Sequence, residues 1–144
     1  MTKVGNIYSL FYATVDGQIP TNKLFLDRKG VLSDKHYGKN IERSVLLTSL
    51  DSYTLIKNHK INILQGALGE NILMDFNPYE LTEGTRLRVG TATLEISQHG
   101  TLCKGLSKVN SKLPKLLKEG RGIFAKIVTA GSVSVDDNVY LLGK

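Results

Sequence analysis

The chain has one cysteine, Cys103, so no internal disulfide is available to it. No apolar run is long enough to cross a bilayer. The first residues, Met1-Thr-Lys-Val-Gly-Asn-Ile-Tyr8, lack the apolar core and small-residue cleavage site of a secretory signal. Together these absences predict a reducing, cytoplasmic location. There is no Walker A loop, no dinucleotide-binding glycine fingerprint after a strand, and no Gly-x-Ser-x-Gly elbow. His36, His59 and His99 do not show zinc spacing. One cysteine and one histidine leave a zinc site short of ligands. Asp34, Glu70, Glu80 and Glu95 are scattered, so no acid–base pair is readable.

What is present fits one domain over 1–144. The apolar fraction of 41% and the charged fraction of 22% are ordinary for a globular protein with a single core. The net charge of +6 comes from 19 basic and 13 acidic residues and favours anionic partners. Lys108, Lys112, Lys115 and Lys118 recur at spacings of three and four, and on one continuous helix they would form a stripe. A solvated helix face explains that stripe better than a nucleic-acid patch. No aromatic RNA-binding motif accompanies it.

The patterning is mostly β. Lys3 to Tyr12 reads as a first strand, Ser44 to Thr48 as a buried one, and Asn71 to Met74 as another. Thr48 or Ser49 is placed to cap a helix running to about Asn58. Arg86–Val89 and Ala92–Ile96 alternate on either side of Gly90-Thr91, the clearest hairpin in the chain. Ser111 is expected to cap a second helix to Lys118, with Leu113, Leu116 and Leu117 as its apolar stripe and Gly120 as its end. Ile123 to Thr129 and Val139 to Leu142 read as strands, the latter entered through Asp136-Asp137-Asn138. Many short strands and two short helices predict a mostly β fold, a closed or partly closed β-barrel or a sandwich.

Cys103 is the residue with the most chemistry to explain. It follows a predicted strand, and His99, Thr101 and Lys104 lie beside it. A neighbouring cation favours thiolate. As a lone thiol it fits a small buried hydrophobe, a nucleophile, a sulfur carrier or a soft-metal ligand.

The order of short motifs narrows this. Ser33-Asp-Lys-His36 precedes Arg43-Ser-Val-Leu-Leu47. Gly66-Ala-Leu-Gly-Glu-Asn71 and Leu81-Thr-Glu-Gly84 follow. Leu87-Arg-Val-Gly90, Ala92-Thr-Leu-Glu95, Cys103, Arg121-Gly-Ile-Phe-Ala125 and Asp136-Asp137 complete the series. In this order the chain resembles the MOSC domain, named for the C-terminal domain of molybdenum-cofactor sulfurase. The resemblance spans nearly the whole chain. Ser33 and Asp136 stand where the family has glycine, and Leu102 where many relatives have proline. The chain has no room for the separate N-terminal barrel that helps hold the cofactor in the amidoxime-reducing relatives.

The resemblance implies a MOSC-type barrel and binding of the molybdenum cofactor, a pyranopterin whose dithiolene holds the metal. Cys103 would be the catalytic thiolate and the protein ligand to molybdenum. Arg43 and Arg121, with Lys104, would meet the cofactor phosphate, and Asn71 the pterin edge. His99 and Thr101 would bond the metal's oxygen ligand or tune the thiolate. His36 beside Asp34 is expected to hold a loop. The implied activity is reduction of N-hydroxylated compounds, a small-molecule substrate class, with electrons from an external donor protein. One alternative is sulfur transfer through a Cys103 persulfide fed by a sulfur donor protein. The other is a non-catalytic module that binds an anionic partner through its basic face. No membrane partner is expected.

Overall fold

The computed structural model describes residues 1–99, 104–117 and 121–143, with the side chains of His99 and of residues 104–106 left aside. In chain order the elements are β1 (Thr2–Thr14), β2 (Gly17–Thr21), β3 (Lys23–Asp27) and β4 (Gly30–Val31), then a 3-10 turn (Ile41–Arg43). β5 (Val45–Ser49), α1 (Leu50–Asn58), β6 (Ile72–Met74), β7 (Arg86–Val89) and β8 (Ala92–His99) follow. The chain continues with α2 (Lys104–Val109), α3 (Leu113–Leu116), β9 (Ile123–Thr129), β10 (Gly131–Ser134) and β11 (Asn138–Gly143).

Seven strands close a barrel in the order β11-β7-β8-β9-β5-β6-β1, and β1 pairs back onto β11 to complete the ring. Closure removes the free edges that an open sheet would expose. β1 serves three partners in turn. Its first residues pair with β11 (Thr2 opposite Leu141), its middle with β6 (Leu10 opposite Ile72), and its end with β2 (Thr14 opposite Gly17). Register shifts between Lys3 and Gly5 and between Ile7 and Ser9 let one strand bend from neighbour to neighbour. A small sheet, β10-β3-β4, packs alongside.

Alternation builds the barrel interior. In β7 the pattern is exposed Arg86, buried Leu87, exposed Arg88, buried Val89. Leu87 faces Leu94 and Val89 faces Ala92 across the expected hairpin, with Gly90 in the left-handed region at φ 57°. β5 is buried at every position, as a strand covered on both faces must be. It runs parallel to β6, and α1 forms part of the crossover between them. A second, smaller core forms outside the barrel from Ile56, Ile61, Leu68, Leu113 and Leu117, with Tyr53 packed against it. It ties α1, the segment after it and α3 together.

The second predicted helix is corrected in part. α3 is a short turn over Leu113–Leu116, and Ser111 does not cap it. Asn110 instead accepts a bond from the Lys112 amide at 2.9 Å. A separate helix, α2, precedes it, so Lys108, Lys112 and Lys115 do not share one continuous helix. Asn110 competes for backbone donors, which ends the helical run. Lys118 and Gly120 lie outside the described residues. Leu113 and Leu117 are buried as the stripe required. β2, β3 and β10 are additional strands that the sequence pattern did not single out.

Candidate functional site

A cavity of about 700 Å³ lies between the segment after β4, the loop before β6 and the start of β9. Its size is that of a small-molecule pocket. Lys35, Lys39, Arg43 and Arg121 line it, with His36, and no carboxylate is among its described lining residues. Four cations facing one cavity raise the local potential for an anion. Leu46, Leu64, Ala67 and Phe124 supply an apolar wall.

The cavity is built on a buried polar knot around Asp34 and Asn71. Ser33 enters it with φ 73°, a left-handed conformation. Asp34 is buried, and its Oδ2 accepts from the Ala13 amide at 2.8 Å and from Asn71 Nδ2 at 2.9 Å. Its Oδ1 accepts from the His36 amide at 2.8 Å and meets His36 Nδ1 at 2.9 Å. Burial opposes the Asp34 charge, but the Ala13 and His36 amides, the His36 ring and the Asn71 amide outweigh it. They hold its pKa below the usual carboxylate value. His36 therefore does hold its loop, and it also lines the cavity. Asn71 Nδ2 donates further to the Phe11 carbonyl at 3.2 Å, and Oδ1 accepts from the Leu46 amide at 3.1 Å. Both amide hydrogens of Asn71 are thus used inside the protein. Its place is to join β1, β5 and the Asp34 loop, and one acceptor lone pair is left for anything in the cavity.

Arg43 comes from the 3-10 turn, and its guanidinium lies 4.4 Å from the centre of the Phe124 ring. That cation–π contact fixes the charge at the rim. Nearby, Glu42 faces Lys126 at 3.7 Å and Asp34 faces His36 at 2.9 Å. Arg121 Nε donates to the Leu68 carbonyl at 3.1 Å, and the Arg121 carbonyl accepts from Thr48 Oγ1 at 2.9 Å. Gly69 passes close beneath, where an added Cβ would stand 3.2 Å from Arg121 Nη2.

Arg43, Asn71 and Arg121, far apart in sequence, therefore line one cavity. His99 ends β8 and Lys104 begins α2. Thr101 and Cys103 lie outside the described residues. Lys35 and Lys39 are lining cations that the sequence reading did not select. The one available signal was that Lys35 sits inside the Ser33–His36 motif. Among the described residues no group of three or more His, Cys, Asp or Glu side chains is placed to hold a metal ion. No helix among them is long and apolar enough to cross a membrane.

The fold has clear relatives among solved structures. The YuaD protein from Bacillus subtilis superposes with a TM-score of 0.81 at 19% identity, covering 94% of this chain and 93% of that one. YiiM from Escherichia coli gives 0.74 at 19% identity, over 96% and 70% of the two chains. YiiM from Geobacillus stearothermophilus gives 0.71 at 15% identity, over 98% and 74%. No curated protein sequence matches the chain. The family model described as MOSC domain matches residues 32–140, a span that holds Asp34, His36, Asn71 and every cation of the cavity. The chain belongs to the MOSC domain family, which is associated with the molybdenum cofactor.

Proposed function

We propose that the cavity binds the molybdenum cofactor and that the protein is a reductase of N-hydroxylated compounds. The observation that carries this reading is the concentration of Lys35, Lys39, Arg43 and Arg121 on one cavity with no carboxylate among its described lining residues. Such a donor set fits a phosphate-bearing ligand. Guanidinium groups meet phosphate oxygens in pairs, and lysines add charge. Arg43 and Arg121 would hold the phosphate, and Leu46, Ala67 and Phe124, which line the same cavity, would offer an apolar surface to the ring system. The Asn71 amide keeps the floor of the cavity in place through Phe11, Leu46 and Asp34.

Cys103 would supply the thiolate to the metal, a soft donor for a soft site. His99, Thr101 and Lys104 surround it in sequence and tune its charge. The cofactor when bound supplies two-electron redox chemistry. Cleavage of an N–O bond to an N–H and water consumes two electrons and two protons. The electrons come from an external donor protein, since the sequence carries no flavin or haem motif.

The test is expression in a cofactor-competent host, followed by metal analysis and pterin fluorescence after oxidation. Wild type is expected to carry both molybdenum and pterin. Cys103→Ser is expected to keep its melting temperature and lose the metal, because serine is a harder and much less acidic donor. Equal molybdenum content and equal reductase activity in the two proteins would reject the ligand role. A gain of one sulfur atom on Cys103 without pterin would favour the persulfide carrier. Salt-sensitive nucleic-acid binding without pterin would favour the anion-binding module.

A further inference from the structure

The cavity wall formed by residues 64–69 is held from behind by two side chains that do not line it. Glu70 is fully buried, and its Oε2 accepts from Tyr53 Oη at 2.6 Å and from the Gly66 amide at 3.0 Å. Tyr53 Oη in turn accepts from the Gly66 amide at 2.9 Å and from the Leu68 amide at 3.3 Å. The Glu70 carbonyl accepts from Gln18 Nε2 at 2.6 Å, which ties the same stretch to β2. Leu68, held by Tyr53 through its amide, offers its carbonyl to Arg121 Nε. Gly66 and Gly69 are both left-handed, at φ 94° and 90°. An added Cβ at Gly66 would lie 2.9 Å from the Phe11 ring, so the loop is pressed against β1 with no slack. The chain of contacts runs without a gap from Glu70 to Tyr53, to Leu68, to Arg121.

We propose that Glu70 and Tyr53 are positioning residues for the anion site: together they set the 64–69 loop whose Leu68 carbonyl orients the Arg121 guanidinium in the cavity. This inference rests on the anion-binding reading of that cavity. A buried carboxyl group is expensive to keep for stability alone, since burial penalises its charge and its Oε1 has no hydrogen-bond partner among the described residues. A glutamine would keep the acceptor that Gly66 and Tyr53 need, because its amide oxygen can occupy the Oε2 position. A leucine would not. Arg121 fixed by a backbone carbonyl meets an anion already oriented, which lowers the ordering cost of binding.

The experiment titrates 15N-labelled protein with inorganic phosphate at constant ionic strength, following the amides of Gly66, Leu68 and Gly69. Glu70→Leu is expected to weaken phosphate binding about tenfold, and Tyr53→Phe, which keeps the ring and removes only the hydroxyl, about threefold to fivefold. Glu70→Gln is expected to stay within about twofold of wild type. Because the two residues act through Arg121, Tyr53→Phe combined with Arg121→Met is expected to bind no more weakly than Arg121→Met alone. Wild-type affinity in Tyr53→Phe, or a double variant that loses the product of the two single effects, would overturn the positioning role. Phosphate binding unaffected by Arg43→Met and Arg121→Met, or absent from wild type, would instead remove the anion reading and the positioning role with it.

Discussion

Two buried carboxyl groups flank Asn71, and they are satisfied very differently. Asp34 sits among four donor contacts and is held ionised, with its pKa below the usual range. Glu70, the residue before Asn71, has one oxygen engaged and one without a partner among the described residues, and burial pushes its pKa up. The same chemical group is stabilised as an anion on one side of Asn71 and favoured as a neutral acid on the other. At Asp34 the donors outweigh burial, and at the more deeply buried Glu70 burial outweighs its donors. Asp34 contributes a negative charge stabilised by its donors beneath a cationic cavity, and Glu70 contributes an acceptor whose charge burial disfavours.

The largest effect should come from removing the better-satisfied group. Asp34→Ala leaves the Ala13 amide and the Asn71 amide without their acceptor in a buried site. A loss of about 3–5 kcal/mol is expected, read by urea unfolding. A loss under 1 kcal/mol would mean the knot is not what holds the cavity floor.

The pH profiles should separate the two groups by sign. Asp34 has a depressed folded pKa, so its contribution is complete above the unfolded value near pH 4 and is lost as pH falls through the lower folded value. Glu70 has a raised folded pKa, so the folded state binds the proton more tightly. Its contribution is complete below the unfolded value and fades as pH rises towards the folded value. Asp34→Asn should therefore flatten the acid limb of stability against pH. Glu70→Gln should flatten the decline above about pH 4 and leave the acid limb alone. Unfolding free energies measured across both limbs check this. Identical profiles for the two variants would erase the distinction.

The smallest effect concerns the entry to the knot. Ser33→Gly relieves a left-handed serine at φ 73° and should raise stability by about 0.5 kcal/mol, because the steric relief is partly offset by glycine's unfolded-state entropy. Asp136, at the same φ, offers a comparison away from the cavity. A gain at Asp136→Gly but not at Ser33→Gly would show that the Asp34 donors compensate the strain locally.

Those two positions also show what was legible in the sequence. Ser33 and Asp136 depart from the family's glycines, and both adopt the left-handed backbone that a glycine would take freely. The barrel strands were readable because β7 and β8 alternate and β5 opens on the apolar run Val45-Leu-Leu47. β2 was not, since Gly17-Gln-Ile-Pro-Thr21 carries a glycine and a proline and has no alternating pattern. The meeting of Arg43, Asn71 and Arg121 followed from motif order, not from any local pattern. In the sequence Tyr53 is one aromatic residue within a helical pattern, with nothing to mark its hydroxyl. That its hydroxyl reaches Gly66, Leu68 and Glu70 depends on how the crossover folds back, which no local period encodes.

The bonds of Asn71 span the chain unevenly. From this one side chain they reach back 25 residues to Leu46, 37 to Asp34 and 60 to Phe11. Each is a loop whose closure entropy must be met before the contact returns anything. One asparagine therefore couples four segments: β1, the Asp34 loop, β5 and the start of β6 must all be in place for its three bonds to form together, so loosening any one of them frees the cavity floor from the other three.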